Sequence, residues 1–181
     1  MKERCEKVRA LIAWYSRQGE NLVNGKVERL KVGNTELMAA ILQTLTGADS
    51  FQIRPSQDYD ADYCRCIDQA RQDLRKNARP PLAEYLESID DYDVIYLGYP
   101  NWWGTMPMPV FSFLEHYDFT GKIIKPFCTH EGGGMGRSEK DIHHACPTAE
   151  QAPGLPILGA EVKYELASIE EWAQELVCHN T

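Results

Sequence analysis

The chain has 181 residues, 43% of them apolar and 25% charged, with a formal net charge of −8 at pH 7. That length suits one domain, 1–181, able to bury about 70% of the surface that its unfolded form exposes. The acidic balance excludes a nucleic-acid partner, whose phosphates need clustered Lys and Arg, and no apolar run approaches the roughly 20 residues of a membrane span. Six cysteines (Cys5, Cys64, Cys66, Cys128, Cys146 and Cys178) show no framework spacing, and the charged start from Lys2 to Arg9 is unlike a signal peptide. A reduced, cytoplasmic setting is therefore expected.

Taken in order, Val8 to Trp14 is an apolar run that ends in the polar turn Tyr15-Ser16-Arg17-Gln18-Gly19, which predicts a first, central strand. A hairpin is expected at about 20–32, because Leu22-Val23 and Lys26-Val27 flank Asn24-Gly25, the dipeptide favoured in a type I′ turn. Thr35 to Thr46 places Leu37, Met38, Ile41, Leu42 and Leu45 on one helical face, with Gly47 as the stop. Asp49 to Arg54 reads as a short strand closed by Pro55, Ala61 to Asn77 as a polar surface helix, and Leu82 to Ile89 as a shorter helix. Val94 to Gly98 is the third strand, and Pro107 to His116 a helix with proline in its first turn. Lys122 to Thr129 is a fourth strand, Ser138 to Ala145 a helix, Leu155 to Val162 a fifth strand and Ser168 to Val177 a closing helix. Strands alternating with helices imply a parallel sheet covered on both faces.

In a doubly wound sheet of this kind, ligands bind outside the carboxyl ends of the strands. The loops after strands one, three and four thus form the candidate site. The first offers Ser16, Arg17 and Gln18, and beyond the hairpin Gly33-Asn34-Thr35 opens a helix, whose unpaired amides and dipole suit a phosphate. Arg17 can add a charge-assisted bond or point to solvent, and Asn34 or Thr35 can equally serve as a helix cap. The loop after the third strand, Pro100-Asn101-Trp102-Trp103-Gly104, displays two indole faces, each a wall for a planar ligand. The fourth loop, Thr129-His130-Glu131-Gly132-Gly133-Gly134-Met135-Gly136-Arg137-Ser138, has enough glycine for its backbone to pass close to a flat ligand and donate N–H groups.

The motif Tyr99-Pro100-Asn101-Trp102-Trp103-Gly104, the run Pro126 to Ser138 and the order of segments resemble the flavodoxin-like family, in its branch of short FMN proteins, over nearly the whole chain. The resemblance implies an α/β flavodoxin-like fold with five parallel strands in the order 2-1-3-4-5 and helices on both faces. It implies FMN phosphate at Ser16, Gln18, Asn34 and Thr35, and the flavin ring between the Trp102-Trp103 loop and the loop from Thr129 to Gly134. The usual phosphate loop of that family is compact, whereas here the hairpin separates Ser16 from Thr35.

From such a site the expected function is an oxidoreductase passing electrons from NAD(P)H or a reduced partner to a small acceptor such as a quinone. The alternative is a single-electron carrier between protein partners. Backbone N–H groups from Asn101 to Gly104 are expected near the flavin N5, and His130 as a donor or cation near the ring. The net charge of −8 suits docking to a basic redox partner, and a homodimer is a further expectation, the hairpin serving to wall the pocket. Rival constellations carry less. Cys128, His130, His143, His144 and Cys146 have the ligand types for a metal but no common zinc spacing, so no metal is expected. Cys64 and Cys66 sit too close for the usual redox pair, and Cys128 beside His130 lacks the setting of a nucleophile.

Overall fold

A computed structural model describes residues 8–175; Cys5, Cys178 and the end of the expected closing helix, Leu176-Val177, lie outside the described residues. Strand β1 (Ala10–Trp14) is central because Leu11, Ile12 and Ala13 are all buried, as a parallel strand covered on both faces requires. It pairs in parallel with β4 (Asp49–Gln52) on one side and with β5 (Val94–Pro100) on the other. β5 then pairs in parallel with β6 (Ile123–His130). The lane beyond β6 differs from the single fifth strand expected. Two short segments, β7 (Glu150–Gln151) and β8 (Leu155–Leu158), both pair with β6.

The break between them has a local cause. Pro153 has no amide to give to a ladder, its carbonyl accepts from the Trp172 indole at 3.0 Å, and a Cβ on Gly154 would lie 2.4 Å from Met135 Cε. The expected strand Leu155 to Val162 also stops early. From Gly159 to Tyr164 the chain winds into a 3₁₀ turn that buries Val162 completely.

Among the described residues, helices pack on both faces of the sheet. On one face α1 (Asn34–Thr46) contributes Met38, Ala39 and Leu42, and α5 (Leu166–Gln174) contributes Ile169, Trp172 and Ala173, against Ile12, Val94 and Tyr96. On the other, α3 (Met108–His116) packs Val110, Phe111, Phe113 and Leu114, and α4 (Ser138–Ala145) packs Ile142, against Leu11, Ile95 and Leu97. Odd and even strand positions thus serve different cores, the period-two rule of a pleated strand. α2 (Tyr63–Lys76) is capped by Asp62, whose carboxylate accepts from Arg65 N, and it ends at Asn77 in the left-handed conformation. No helix among the described residues is long and apolar enough to cross a membrane.

Leu82 to Ile89 is not a helix. After Pro80-Pro81 the backbone turns back on the segment after β4, with Ser56 N donating to Pro81 O and Ala83 N to Arg54 O, both at 2.8 Å. Those bonds replace helical ones, while Leu82 and Ile89 remain buried in the core. The hairpin forms as the sequence indicates: β2 (Gly19–Val23) and β3 (Lys26–Leu30) are antiparallel, and Asn24 (φ 51°) and Gly25 (φ 79°) supply the two positive φ angles of a type I′ turn.

Gly98 shows how tightly β5 meets β6: a Cβ there would lie 2.1 Å from Phe127 Cζ, inside the core. Gly98→Ala is expected to cost about 1–3 kcal/mol by overpacking, read as a lower midpoint in chemical denaturation with the slope unchanged.

Candidate functional site

Because β1, β5 and β6 run parallel, their carboxyl ends lie side by side, and the loops leaving them meet in one cleft of about 260 Å³. Its walls include Ser16, Arg17, Asn34 and Thr35 from the first loop region, Pro100 to Trp103 from the second, and Thr129, His130 and Glu131 from the third. Gln18, Gly104, Gly132, Gly133, Gly134 and Ser138, also expected at the site, do not line it. Asn21 and Leu22 of the hairpin, Gly159, and Tyr63, Cys66, Ile67 and Ala70 of α2 do. The α2 set follows the i, i+3, i+4, i+7 spacing of one helical face, a periodicity that marks a packed face without telling a cleft wall from a core. Cys66, expected on a surface helix, is therefore buried while Cys64 is exposed.

At the α1 end the hairpin does not pull the split loop apart. A Cβ on Gly33 would lie 2.1 Å from Ser16 Oγ and 2.5 Å from Arg17 O, so the two halves touch, and only glycine permits it. Ser16 Oγ accepts from Glu36 N at 3.1 Å, capping a helix that begins far along the chain. Thr35 Oγ1 and Thr129 Oγ1 share a buried hydrogen bond of 2.7 Å, which fixes the start of α1 over the end of β6. The amides of Asn34 and Thr35 have no partner among the described residues. Two open amides, two hydroxyls and the positive end of a helix are groups that suit an anion.

Arg17 neither points to solvent nor reaches freely into this site. Its Nε, Nη1 and Nη2 donate to the carbonyls of Glu20, Asp60 and Ala61, each at 2.9 Å, and so tie the hairpin to the start of α2. Gln18 donates to Glu36 Oε2 instead. The hairpin is pinned at both ends: Glu20 Oε2 accepts from Tyr63 N, and Glu131 Oε2 accepts from Asn24 N at the tip, each at 2.9 Å.

The two tryptophans have separate settings. Trp102 is half-buried, with the rings of Tyr15 and Tyr59 edge-on at 5.4 and 5.3 Å. Trp103 is 44% exposed, donates from Nε1 to Ile67 O at 2.9 Å and carries the Arg71 guanidinium over its ring at 4.9 Å. Its φ of 58°, followed by Gly104 at 82°, gives a tight turn closed by Trp102 N to Thr105 O at 2.8 Å. A bulky residue in the left-handed region costs about 1–3 kcal/mol and needs outside support.

The glycine tract provides that support. Asn101 Oδ1 accepts from Gly104 N and Asn101 Nδ2 donates to Gly134 O, at 2.9 and 2.8 Å. Arg137 N donates to Gly104 O at 2.8 Å, and Thr105 Oγ1 to Asp141 Oδ2 at 2.6 Å. A Cβ on Gly136 would lie 2.3 Å from Gly104 O and one on Gly133 2.9 Å from Asn101 Nδ2, so these two glycines permit close approach to the tryptophan loop. Ser138 is buried, donating to Met135 O and accepting from Tyr99 OH. Of the amides from Asn101 to Gly104, only that of Trp103 lacks a partner among the described residues.

His130 Nδ1 accepts from Gly132 N at 2.9 Å, so its proton sits on Nε2. Burial pushes its pKa below the ordinary 6.5, with Glu131 opposing, and the ring is a neutral donor rather than a cation at pH 7. Burial raises the Cys66 thiol, and the Cys128 thiol well above the ordinary range, so neither is a ready thiolate. No group of three or more His, Cys, Asp or Glu among the described residues is placed to hold a metal ion.

A sequence model of the flavodoxin family matches residues 30–176. The chain belongs to the flavodoxin family. No curated protein sequence matches it. Among solved structures it is similar to a candidate flavoprotein of Bacteroides uniformis (24% identity, TM-score 0.75, 94% of this chain and 100% of that one). It is also similar to a flavoprotein of Lactobacillus acidophilus in complex with FMN (20%, 0.64, 87% and 98%) and to oxidised flavodoxin 2 of Bacillus cereus (18%, 0.54, 92% and 95%). These likenesses bear on the fold, which is that of flavodoxins with a divided fifth lane.

Protonating His130 turns Nδ1 from acceptor to donor and breaks its bond to Gly132. Since the folded-state pKa is the lower one, the unfolded chain binds more protons below pH 6.5, and stability falls as pH drops from there through the folded pKa. An NMR titration of His130 is expected to show a midpoint below 6.5, and His130→Gln to remove that part of the pH dependence of unfolding.

Proposed function

We propose that this chain holds FMN in the cleft and acts as an FMN-dependent oxidoreductase, passing electrons from NAD(P)H or a reduced protein to a small acceptor such as a quinone. The observation that carries this reading is that an anion site made of open amides and a pair of indoles share one cleft at the carboxyl ends of parallel strands. Family membership and the FMN complex of the Lactobacillus acidophilus neighbour support it.

The residues fit the group. The amides of Asn34 and Thr35 and the hydroxyls of Ser16 and Thr35 would hold its phosphate, and no mobile cation is needed where the helix dipole supplies the positive potential. Trp102 and Trp103 would flank its ring, with the unpartnered Trp103 amide as a donor to a ring nitrogen. His130 would hold a proton at Nε2 beside the ring, the role expected of a catalytic residue here. When bound, FMN supplies the electron chemistry, and the chain sets its access to water and to partners. Glu131, Asn24 and the hairpin cover one side of the cleft, and α2 with Trp103 covers another.

The size of the cleft favours a second reading. About 260 Å³ is at or below the roughly 300–1,000 Å³ common for ligand pockets. A carrier that exchanges single electrons with protein partners needs no more, and the acidic surface suits such docking.

Titration of the purified protein with FMN and with riboflavin tests the site. Thr35→Ala is expected to weaken FMN more than riboflavin, and Trp103→Ala to weaken both by about 1–3 kcal/mol from lost stacking area. Equal losses in Thr35→Ala would place the phosphate elsewhere. Anaerobic mixing of the FMN-loaded protein with NADPH or NADH separates the two functions. Bleaching of the visible band followed by quinone-dependent recovery supports the oxidoreductase; no bleaching, with rapid exchange with a reduced redox protein, supports the carrier.

A further inference from the structure

The helix beside the cleft is basic in an acidic protein. α2 carries Arg65, Arg71, Arg75 and Lys76 against Asp68 and Asp73, in a chain of net charge −8. Several of these charges are already committed. Asp73 accepts from Tyr59 OH, Arg65 pairs with Asp60 at 3.5 Å, and Lys76 complements the negative end of the helix dipole. Arg71 is different. It sits in the middle of the helix, is exposed, forms no ion pair among the described residues and lies over the Trp103 ring. Arg75, one turn further along the same side, is also exposed and unpaired among those residues.

A guanidinium lying over an indole keeps the edges of its fork available, and the stack restrains the rotamers that an anion would otherwise have to freeze. The Trp103 indole is fixed in turn, by its Nε1 bond to Ile67 O and by the turn that Asn101 clamps. Trp103 also forms part of the cleft wall, so Arg71 stands one indole away from the cleft. With a flavin in the cleft, a second reactant as long as a dinucleotide would extend past the wall that Trp103 forms.

We infer that Arg71, assisted by Arg75, is the docking point for the phosphate groups of a nicotinamide dinucleotide, and so a specificity-determining residue for the electron donor. Resting on the reading of the cleft as a flavin site, this assigns the donor its binding surface. Planar guanidinium forks match phosphate oxygens two at a time. Asp68 and Asp73 flank Arg71 in sequence, and Asp73 is already engaged by Tyr59 OH.

The test uses the FMN-loaded protein and two non-reducing probes, NADP⁺ and adenosine 2′,5′-bisphosphate, with binding followed by calorimetry. Arg71→Gln is expected to weaken both probes about ten-fold or more, Arg75→Gln to weaken them less, and Arg71→Lys to recover part of the loss. FMN affinity is expected to stay unchanged in all three variants, and binding of the probes to weaken with added salt. In NADPH oxidation Arg71→Gln is expected to raise KM with little change in kcat. Probe affinity unaltered by Arg71→Gln would overturn the inference. So would a wild-type protein that binds FMN but neither probe, including the case in which Arg71→Gln impairs exchange only with an acidic redox protein. Failure to bind FMN with probe binding intact would instead overturn the reading of the cleft and leave the anion site standing.

Discussion

The contact of Gly33 with Ser16 and the Arg17 carbonyl is the constraint on which the candidate site depends. It closes the excursion made by the hairpin and sets the first turn of α1 against the loop leaving β1. Ser16 then caps α1 through Glu36 N, and Thr35 reaches Thr129 at the end of β6. Any side chain at position 33 would collide with Ser16 and the Arg17 carbonyl, so one of the two halves would have to shift. One missing Cβ thus brings two separated sequence fragments together in one wall of the cleft.

The opposite wall is held by a clasp between two loops. The tryptophan loop adopts a turn that a tryptophan does not favour, and it persists because both ends of the Asn101 amide, the Gly104 carbonyl and the Thr105 hydroxyl are bonded to their surroundings. Each such bond contributes only about 1 kcal/mol net, yet together they outweigh the local strain and leave the wall preorganised. The hairpin and α2 close the cleft from the other sides, with Arg17 and Glu20 joining them to one another.

The electrostatics divide in the same way. Inside the cleft the arginine present has three of its N–H groups on carbonyls, and the histidine is neutral, so an anion is met by backbone dipoles rather than by side-chain charge. The side-chain cations stand outside, on the exposed face of α2, within a molecule that is acidic elsewhere. An interior of fixed dipoles costs little reorganisation when a ligand's charge changes, while exposed arginines act on partners approaching from solution.

Periodicity and punctuation in the sequence determined the alternation of strands and helices, the Asn24-Gly25 turn and the residues of the two cores, since each depends on neighbours within a few positions. The same local signals put a helix at Leu82 to Ile89 and one strand from Leu155 to Val162. Both failed because contacts with distant segments decided the backbone, bonds to Arg54 and Ser56 in one case and the close packing of Gly159 against Asn34 and Glu131 in the other. The candidate site divides along this line. Ser16, Trp102, Trp103, Thr129 and His130 were legible as residues at strand ends and Thr35 as one at a helix start, whereas the inward face of α2, the use of Arg17 as a tie and the packing role of Gly133 and Gly136 were not. A sequence states which side chains are available and how far apart they lie along the chain. Which of them share a cleft, and which satisfy the backbone behind it, depends on contacts between residues remote in sequence, and those exist only once the sheet has brought its loops together.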